Sequence, residues 1–266
     1  MNKIVLYFFL CLAASSCHSS RIQVSRPMEP GLAIHGKIFT TAYQQTAAEY
    51  RALCYQAFNL ARYRVDMYKP GNGLPPAIIT DVDETVLDNS PYAVNRARIG
   101  MDYEPVSWFE WTDRSSAKEV PGAGDFLRYA SSRGVEIFYI TNRDKRERNS
   151  TVENLRKLGM PNADTIHVLT KESGSAKEPR RKEVLKSHEL VLFLGDNLSD
   201  FSFVFDKKTV SERNNLVDLN EAEFGRNFIL IPNPVYGDWE GSIYQYNYKL
   251  SPAQKDSAIR STLTGY

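Results

Sequence analysis

Asp81 and Asp83 stand two residues apart, directly after the apolar run Ala77-Ile78-Ile79. Two carboxylates released at the end of a buried strand suit either a hard-metal site or a nucleophile with a general acid beside it. Open α/β sheets bind ligands outside the carboxyl ends of their strands, so this is the place for chemistry. A lone D-x-D is as often a turn or strand end, and the companions decide. Ile140 leads into Thr141-Asn142-Arg143, Lys177 opens a helical pattern, and Leu192-Phe193-Leu194 leads into Gly195-Asp196-Asn197-Leu198-Ser199-Asp200. Taken singly, Thr141-Asn142-Arg143 reads as a capping turn and Asp200 as an N-cap. Their order of acid pair, Thr-Asn, Lys and Gly-Asp-x-x-x-Asp is far more specific, and its polar groups suit phosphate chemistry. Arg143, Lys145, Arg146 and Arg148 form a basic run in which Lys145, Arg146 and Arg148 read as a solvated helix face and Arg143 is left open, and none is assigned a role.

The elements that position these groups alternate. Apolar runs predict strands at Ala77 to Thr80, Val135 to Ile140, Ile166 to Leu169, Leu190 to Leu194 and Phe228 to Ile231. Helical patterns fall at Asp125 to Ser132, Arg146 to Leu158, Arg180 to Ser187 and Pro252 to Leu263. Such alternation predicts an α/β fold, a mainly parallel sheet flanked by helices. Phe39, Tyr43, Ala47, Tyr50, Cys54, Ala57, Ala61, Val65 and Tyr68 follow helical spacing and predict one long amphipathic helix. The stretch from Asp88 to Val120, rich in Tyr, Trp and acids, breaks the rhythm as an inserted cap would.

The 266 residues, 42% hydrophobic, suffice for a full core, and 33 basic against 32 acidic residues give no overall pull towards a nucleic acid polymer. Residues 1–16 read as a signal peptide: Lys3, an apolar stretch to Ala14, then Ser15-Ser16 before Cys17. Small residues before Cys17 resemble a bacterial lipobox, which predicts lipidation of Cys17 and a lipid-anchored tether over 17–36. His18 in the following position favours the outer membrane. Export with Cys54 as the one cysteine left unmodified excludes a disulfide framework.

The chain resembles the class C bacterial acid phosphatases, lipoprotein 5'-nucleotidases of the haloacid dehalogenase superfamily with four signature aspartates. The resemblance rests on I-I-T-D-V-D-E-T-V-L-D-N-S-P-Y from Ile78 to Tyr92 and L-G-D-N-L-S-D-F from Leu194 to Phe201. It implies a Rossmann-like phosphatase domain over 37–266, capped by segments of roughly 37–70 and 88–120. In that reading Asp81 attacks phosphorus, and Asp83 protonates the leaving oxygen and later deprotonates water. Thr141 and Asn142 donate to the phosphoryl oxygens, and Lys177, with Lys171 as second choice, neutralises transition-state charge. Magnesium is expected on Asp81, the Asp83 carbonyl and Asp196, with Asp200 orienting Lys177 or a metal-bound water. Trp108 and Tyr236 match the family's aromatic pair around the substrate, so nucleoside monophosphates are the expected substrates, at acidic pH.

The sequence admits two rival readings. A phosphotransferase is disfavoured by export, and a cell-surface haem- or nucleotide-binding lipoprotein on a phosphatase scaffold is disfavoured by the intact acid pair. The expected partners are a small phosphomonoester and, through the lipid anchor, a membrane; the sequence leaves a homodimer open.

Overall fold

The structure, a computed structural model, describes residues 31–71, 73–172 and 174–266. The expected signal peptide, Cys17 and the expected tether up to residue 30 lie outside the described residues. Along the chain, α1 (Leu32–Thr46) and α2 (Ala48–Met67) lead into β1 (Pro76–Thr80). A short antiparallel pair, β2 (Leu87–Asp88) and β3 (Lys118–Glu119), brackets α3 (Ser90–Arg98) and α4 (Pro105–Thr112). Then come α5 (Ala123–Ser132), β4 (Glu136–Asp144), α6 (Arg148–Lys157), β5 (Val168–Lys171), α7 (Glu178–Val184) and β6 (Glu189–Gly195). The chain continues through α8 (Val210–Leu219), β7 (Phe228–Leu230), α9 (Asp238–Ile243) and α10 (Pro252–Thr262).

The five long strands form one parallel sheet in the order β5-β4-β1-β6-β7. Because β1 is central and the chain builds outward first on one side and then on the other, a crevice opens at its carboxyl end. Each face of the sheet is covered, as parallel sheets require. Ile78 joins Cys54, Phe58, Phe126 and Leu155 in the core on one face, while Ala77 and Ile79 join Val184, Phe193 and Phe201 on the other. Burying side chains of this size stabilises the fold by about 1.5–3 kcal/mol each, which holds the rigid strand ends where the polar residues emerge. Cys54 is buried and unpaired, a small hydrophobe of this core.

The expected long helix is two helices, and it starts earlier than expected. The first described helix begins at Leu32, inside the span read as tether, and Ala47 takes an extended conformation (φ −76°, ψ 126°) that ends it. Packing explains the break. The α1 helix lies against α3 and α10, with Gln44 donating to Asp88 at 2.9 Å and Gln45 to Ser90 at 2.9 Å, whereas α2 lies against α5 and the sheet. The segment is therefore shared between the insertion and the main core. One stripe cannot serve both directions, and Phe39 of the expected stripe is 84% exposed. The β4 strand also continues beyond Ile140, so Thr141, Asn142 and Arg143 are strand residues rather than a turn.

Candidate active site

The Asp81 N–H donates to the Leu194 carbonyl at 2.9 Å, carrying the β1–β6 ladder one residue past β1. This registers the two strand ends, so Asp81 and Asp196 leave the sheet side by side. Lys177, at the start of α7 and buried, donates to Asp81 Oδ1 and, at 2.7 Å, to Asp200 Oδ1. Lys177 rather than Lys171 thus meets the aspartates; Lys171 closes β5. Asp200 ends a single 3₁₀ turn, Leu198–Asp200, that Asn197 caps, and its Oδ2 accepts from the Asn197 N–H at 3.0 Å. Gly195 permits this approach, since a Cβ there would lie 2.5 Å from Asp200 Cβ. Arg181 of α7 ties the same turn down, donating to the carbonyls of Ser199 and Asp200 at 2.8 Å each.

Asp83 lies across the crevice beside β4. Arg143 grips it with Nη2 at 2.7 Å and Nε at 3.0 Å from Oδ1, Asn89 Nδ2 donates to Oδ1 at 2.8 Å, and Thr141 Oγ1 donates to Oδ2 at 3.3 Å. Asn142 is exposed, and its Oδ1 accepts from Arg180 at 2.9 Å. Between Asp83 and β2 the chain turns tightly, with Glu84 in the left-handed region at φ 59°. A non-glycine residue held there is strained, and such strain collects at functional sites. Glu84 itself is buried, accepting from the Asn89 N–H at 2.8 Å and from the Tyr236 hydroxyl.

The electrostatics show a site short of positive charge. Burial pushes the Asp81 carboxyl up to about 7, with Asp200 and Asp83 adding to the rise and Lys177 opposing it. Burial, then Asp200 and Asp81, hold Asp196 well above the ordinary carboxylate range, and burial and Asp83 push Glu84 up to about 8. The Lys177 pKa is raised as well, but for the opposite reason: burial disfavours its ammonium, and Asp200 and Asp81 outweigh that and favour the charged form. Oxygens of Asp81, Asp196 and Asp200 all lie within 4.8 Å of one another, a donor set that fits a hard divalent cation. Asp196 is oriented for this by Asn233 Nδ2 at 2.8 Å and Thr85 Oγ1 at 3.2 Å. Asp200, expected to act only behind the metal, is thus near enough to bind it.

Of the two expected aromatic residues, Tyr236 reaches the acid cluster through its hydroxyl, whereas Trp108 is only 9% exposed. Tyr92 and Tyr103 cover it, with ring centroids 5.0 and 6.0 Å away, and Tyr103 is the exposed ring, at 59%. Sequence reasoning did not single out Asn89, Tyr103 and Asn233, and gave Arg143 no role. Asn89 lies within the Ile78–Tyr92 block, but its bonding partners depend on the fold.

The sequence profile of haloacid dehalogenase superfamily subfamily IIIB, acid phosphatases, matches residues 11–239. Among solved structures, the class C acid phosphatase from Bacillus anthracis superposes with a TM-score of 0.84 at 42% identity, covering 88% of this chain and 99% of that one; the same figures hold for its crystal structure with tungstate bound. Among curated proteins, acid phosphatase 1 of Solanum lycopersicum is 33% identical over 82 residues, 30% of this chain and 32% of that protein. The stem 31 kDa glycoprotein of Glycine max is 25% identical over 128 residues, 46% of this chain and 50% of that protein. The matches thus span between a third and a half of those two plant proteins. With the profile covering most of the sequence and the catalytic-type acids converging at one crevice, the chain belongs to the acid phosphatases of haloacid dehalogenase superfamily subfamily IIIB, a family of phosphomonoesterases.

Proposed function

We propose that the protein is an exported, lipid-anchored acid phosphatase that hydrolyses nucleoside monophosphates through an aspartyl-phosphate on Asp81. The convergence of Asp81, Lys177 and Asp200 beside Asp196 and opposite Asp83 carries this reading. An Asp81 oxygen attacks phosphorus as the ester bond breaks, and Asp83 supplies the proton that the leaving oxygen takes. Water then attacks the phosphoryl group, Asp83 takes its proton, and Asp81 is released. Lys177 offsets negative charge on the phosphoryl oxygens, and the donors to them are the Asn142 amide and the Thr141 hydroxyl, the latter once it turns from Asp83 Oδ2. Asp81 and Asp196, with the Asp83 carbonyl or Asp200, would hold Mg2+, which when bound neutralises charge on the phosphate. The Bacillus anthracis enzyme binds tungstate, an oxyanion, which supports reading the protein as one that binds a phosphoryl group.

Tyr236 and the exposed Tyr103, with Trp108 beneath it, offer aromatic surface for a nucleobase beside the phosphate site. Cys17 is the proposed lipidation site and the outer membrane the proposed location; among the described residues no helix is long and apolar enough to cross a membrane.

The test is phosphate release from a panel of nucleoside monophosphates and p-nitrophenyl phosphate at acidic pH, with and without Mg2+. Metal-dependent release that disappears in Asp81→Asn is the expected result. A folded protein that releases no phosphate with any divalent metal overturns the proposal.

A further inference from the structure

Asp83 must deliver a proton in a fixed direction, and a carboxyl with two equivalent oxygens and free rotation does this poorly. Here the two oxygens are not equivalent. Oδ1 accepts from Arg143 Nη2 at 2.7 Å, Arg143 Nε at 3.0 Å and Asn89 Nδ2 at 2.8 Å, which fills its lone pairs. Oδ2 has only the longer contacts, Arg143 Nε at 3.2 Å and Thr141 Oγ1 at 3.3 Å.

The clamp is itself held. Trp111 Nε1, which can only donate, points at Asn89 Oδ1 at 2.8 Å, so the amide nitrogen of Asn89 must face Asp83. The Asn89 N–H is fixed by Glu84 Oε1 at 2.8 Å. Arg143 Nη1 donates to Thr151 Oγ1 at 3.1 Å, and that hydroxyl donates onward to the Glu147 carbonyl at 2.7 Å. Arg143 and Asn89 are 3% and 2% exposed, so neither works as a surface charge or a solvated amide. Buried polar groups this fully satisfied lock their rotamers.

We propose that Arg143 and Asn89 are positioning residues that hold Asp83 by Oδ1 and leave Oδ2 as the oxygen that exchanges the proton with the leaving group and then with water. This rests on the phosphatase reading above. In the first half-reaction the Asp81–phosphorus bond forms, the phosphorus–leaving-oxygen bond breaks, and its electron pair takes the proton from Asp83 Oδ2, leaving a carboxylate that Arg143 already faces. In the second, water adds to phosphorus, its proton goes to Oδ2, and the Asp81–phosphorus bond breaks. Thr151 and Trp111 act one step further out, by holding the holders.

Leaving-group dependence separates positioning of a general acid from loss of fold or of phosphate binding. An aryl oxide such as p-nitrophenolate departs without a proton, whereas the alkoxide of a nucleoside does not. The experiment measures kcat/KM, which reports on the step up to leaving-group departure, for p-nitrophenyl phosphate and a nucleoside 5'-monophosphate in the wild type, Arg143→Lys, Asn89→Ala and, as benchmark, Asp83→Asn. Misplacing a general acid costs about 100-fold. Arg143→Lys and Asn89→Ala are therefore expected to lose roughly 100-fold on the nucleotide and less than about tenfold on the aryl ester, the same pattern as Asp83→Asn. Trp111→Phe, which removes the donor that orients Asn89 and leaves the clamp residues in place, is expected to show a weaker form of that pattern, and it serves if the other variants fold poorly. Equal losses on both substrates, or no loss on either, would overturn the assignment while leaving the phosphatase intact. A wild type that releases phosphate from neither substrate would overturn the phosphatase reading itself.

Discussion

At the scale of single residues, the site trades stability for reactivity. Asp81 is buried and its pKa is raised to about 7, so folding favours its protonated form. A group of this kind destabilises the fold increasingly as pH rises from its unfolded value, about 3.9, through its folded one. Asp81→Asn should therefore raise the Tm of the metal-free protein at pH 7.5, by about 2–4 °C for each kcal/mol recovered, and the gain should vanish near pH 4. Thermal melts in chelator at both pH values check this; an unchanged or lower Tm at pH 7.5 would contradict it. Gly195→Ala tests the crowding behind the aspartates. The new Cβ would drive Asp200 away from Lys177, so stability should fall by about 1–3 kcal/mol and kcat/KM by about 10–100-fold, measured by denaturant melts and phosphate release. The acids themselves were legible because each ends or follows an apolar strand in a distinctive local block. Arg143 was not, because a basic run reads the same whether or not one of its members turns inward, and its partner Asp83 is 60 residues away in sequence.

At the scale of elements, a cluster of charge ties strand starts together at the end of the sheet opposite the site. Glu136 at the start of β4 accepts from His167 just before β5 at 2.6 Å and from His188 just before β6 at 2.9 Å, while Asp164 meets His167 at 2.8 Å. Burial works against the His167 imidazolium, but Glu136 and Asp164 outweigh it and raise its pKa. The contribution of a raised histidine is complete below its unfolded pKa of about 6.5 and is lost as pH rises through the folded value. His167→Asn should therefore lower the Tm at pH 5.5 by about 2–4 °C and leave it nearly unchanged at pH 8.5. A loss as large at pH 8.5 would show that the ring acts by packing on Phe138 instead. Strands were the most legible elements, since burial on both faces gives unbroken apolar runs. The division of α1 from α2 was not, because the stripe stays near helical period across Ala47 and only the two packing partners break it. The α8 helix was also missed, although Thr209 and Glu212 form a capping box that the sequence spells out. Its apolar side chains are too exposed to give a periodic signal, with Leu219 at 80%.

At the scale of the whole molecule, a central parallel sheet fixes the aspartates of β1 and β6 and the α7 lysine, while the insertion between β2 and β3 brings in Asn89, Tyr103, Trp108 and Trp111. Chelation should abolish turnover, and Mg2+ should restore it, because Asp81, Asp196 and Asp200 crowd more negative charge than Lys177 balances. Asn233→Ala, which frees Asp196 Oδ2, should raise the Mg2+ concentration needed for half-activation by about 10–100-fold; an unchanged activation curve would take Asp196 out of the metal site. The fold class was legible from the alternation of elements and the insertion from the break in that rhythm between Asp88 and Val120, but the packing of α1 on α3 and α10 was not, since those helices lie far apart in the chain. The proposed activity requires Asp81 to carry the phosphoryl group. Its most direct test is acid quenching of Asp83→Asn during turnover of p-nitrophenyl phosphate, where the leaving group departs unaided but water attack lacks its base, followed by mass-spectrometric mapping of peptides. Recovery of a hydroxylamine-labile phosphoryl group on Asp81 in about one copy per chain is the predicted result. Phosphate release with Asp81 unmodified, or the label on another residue, would contradict the account.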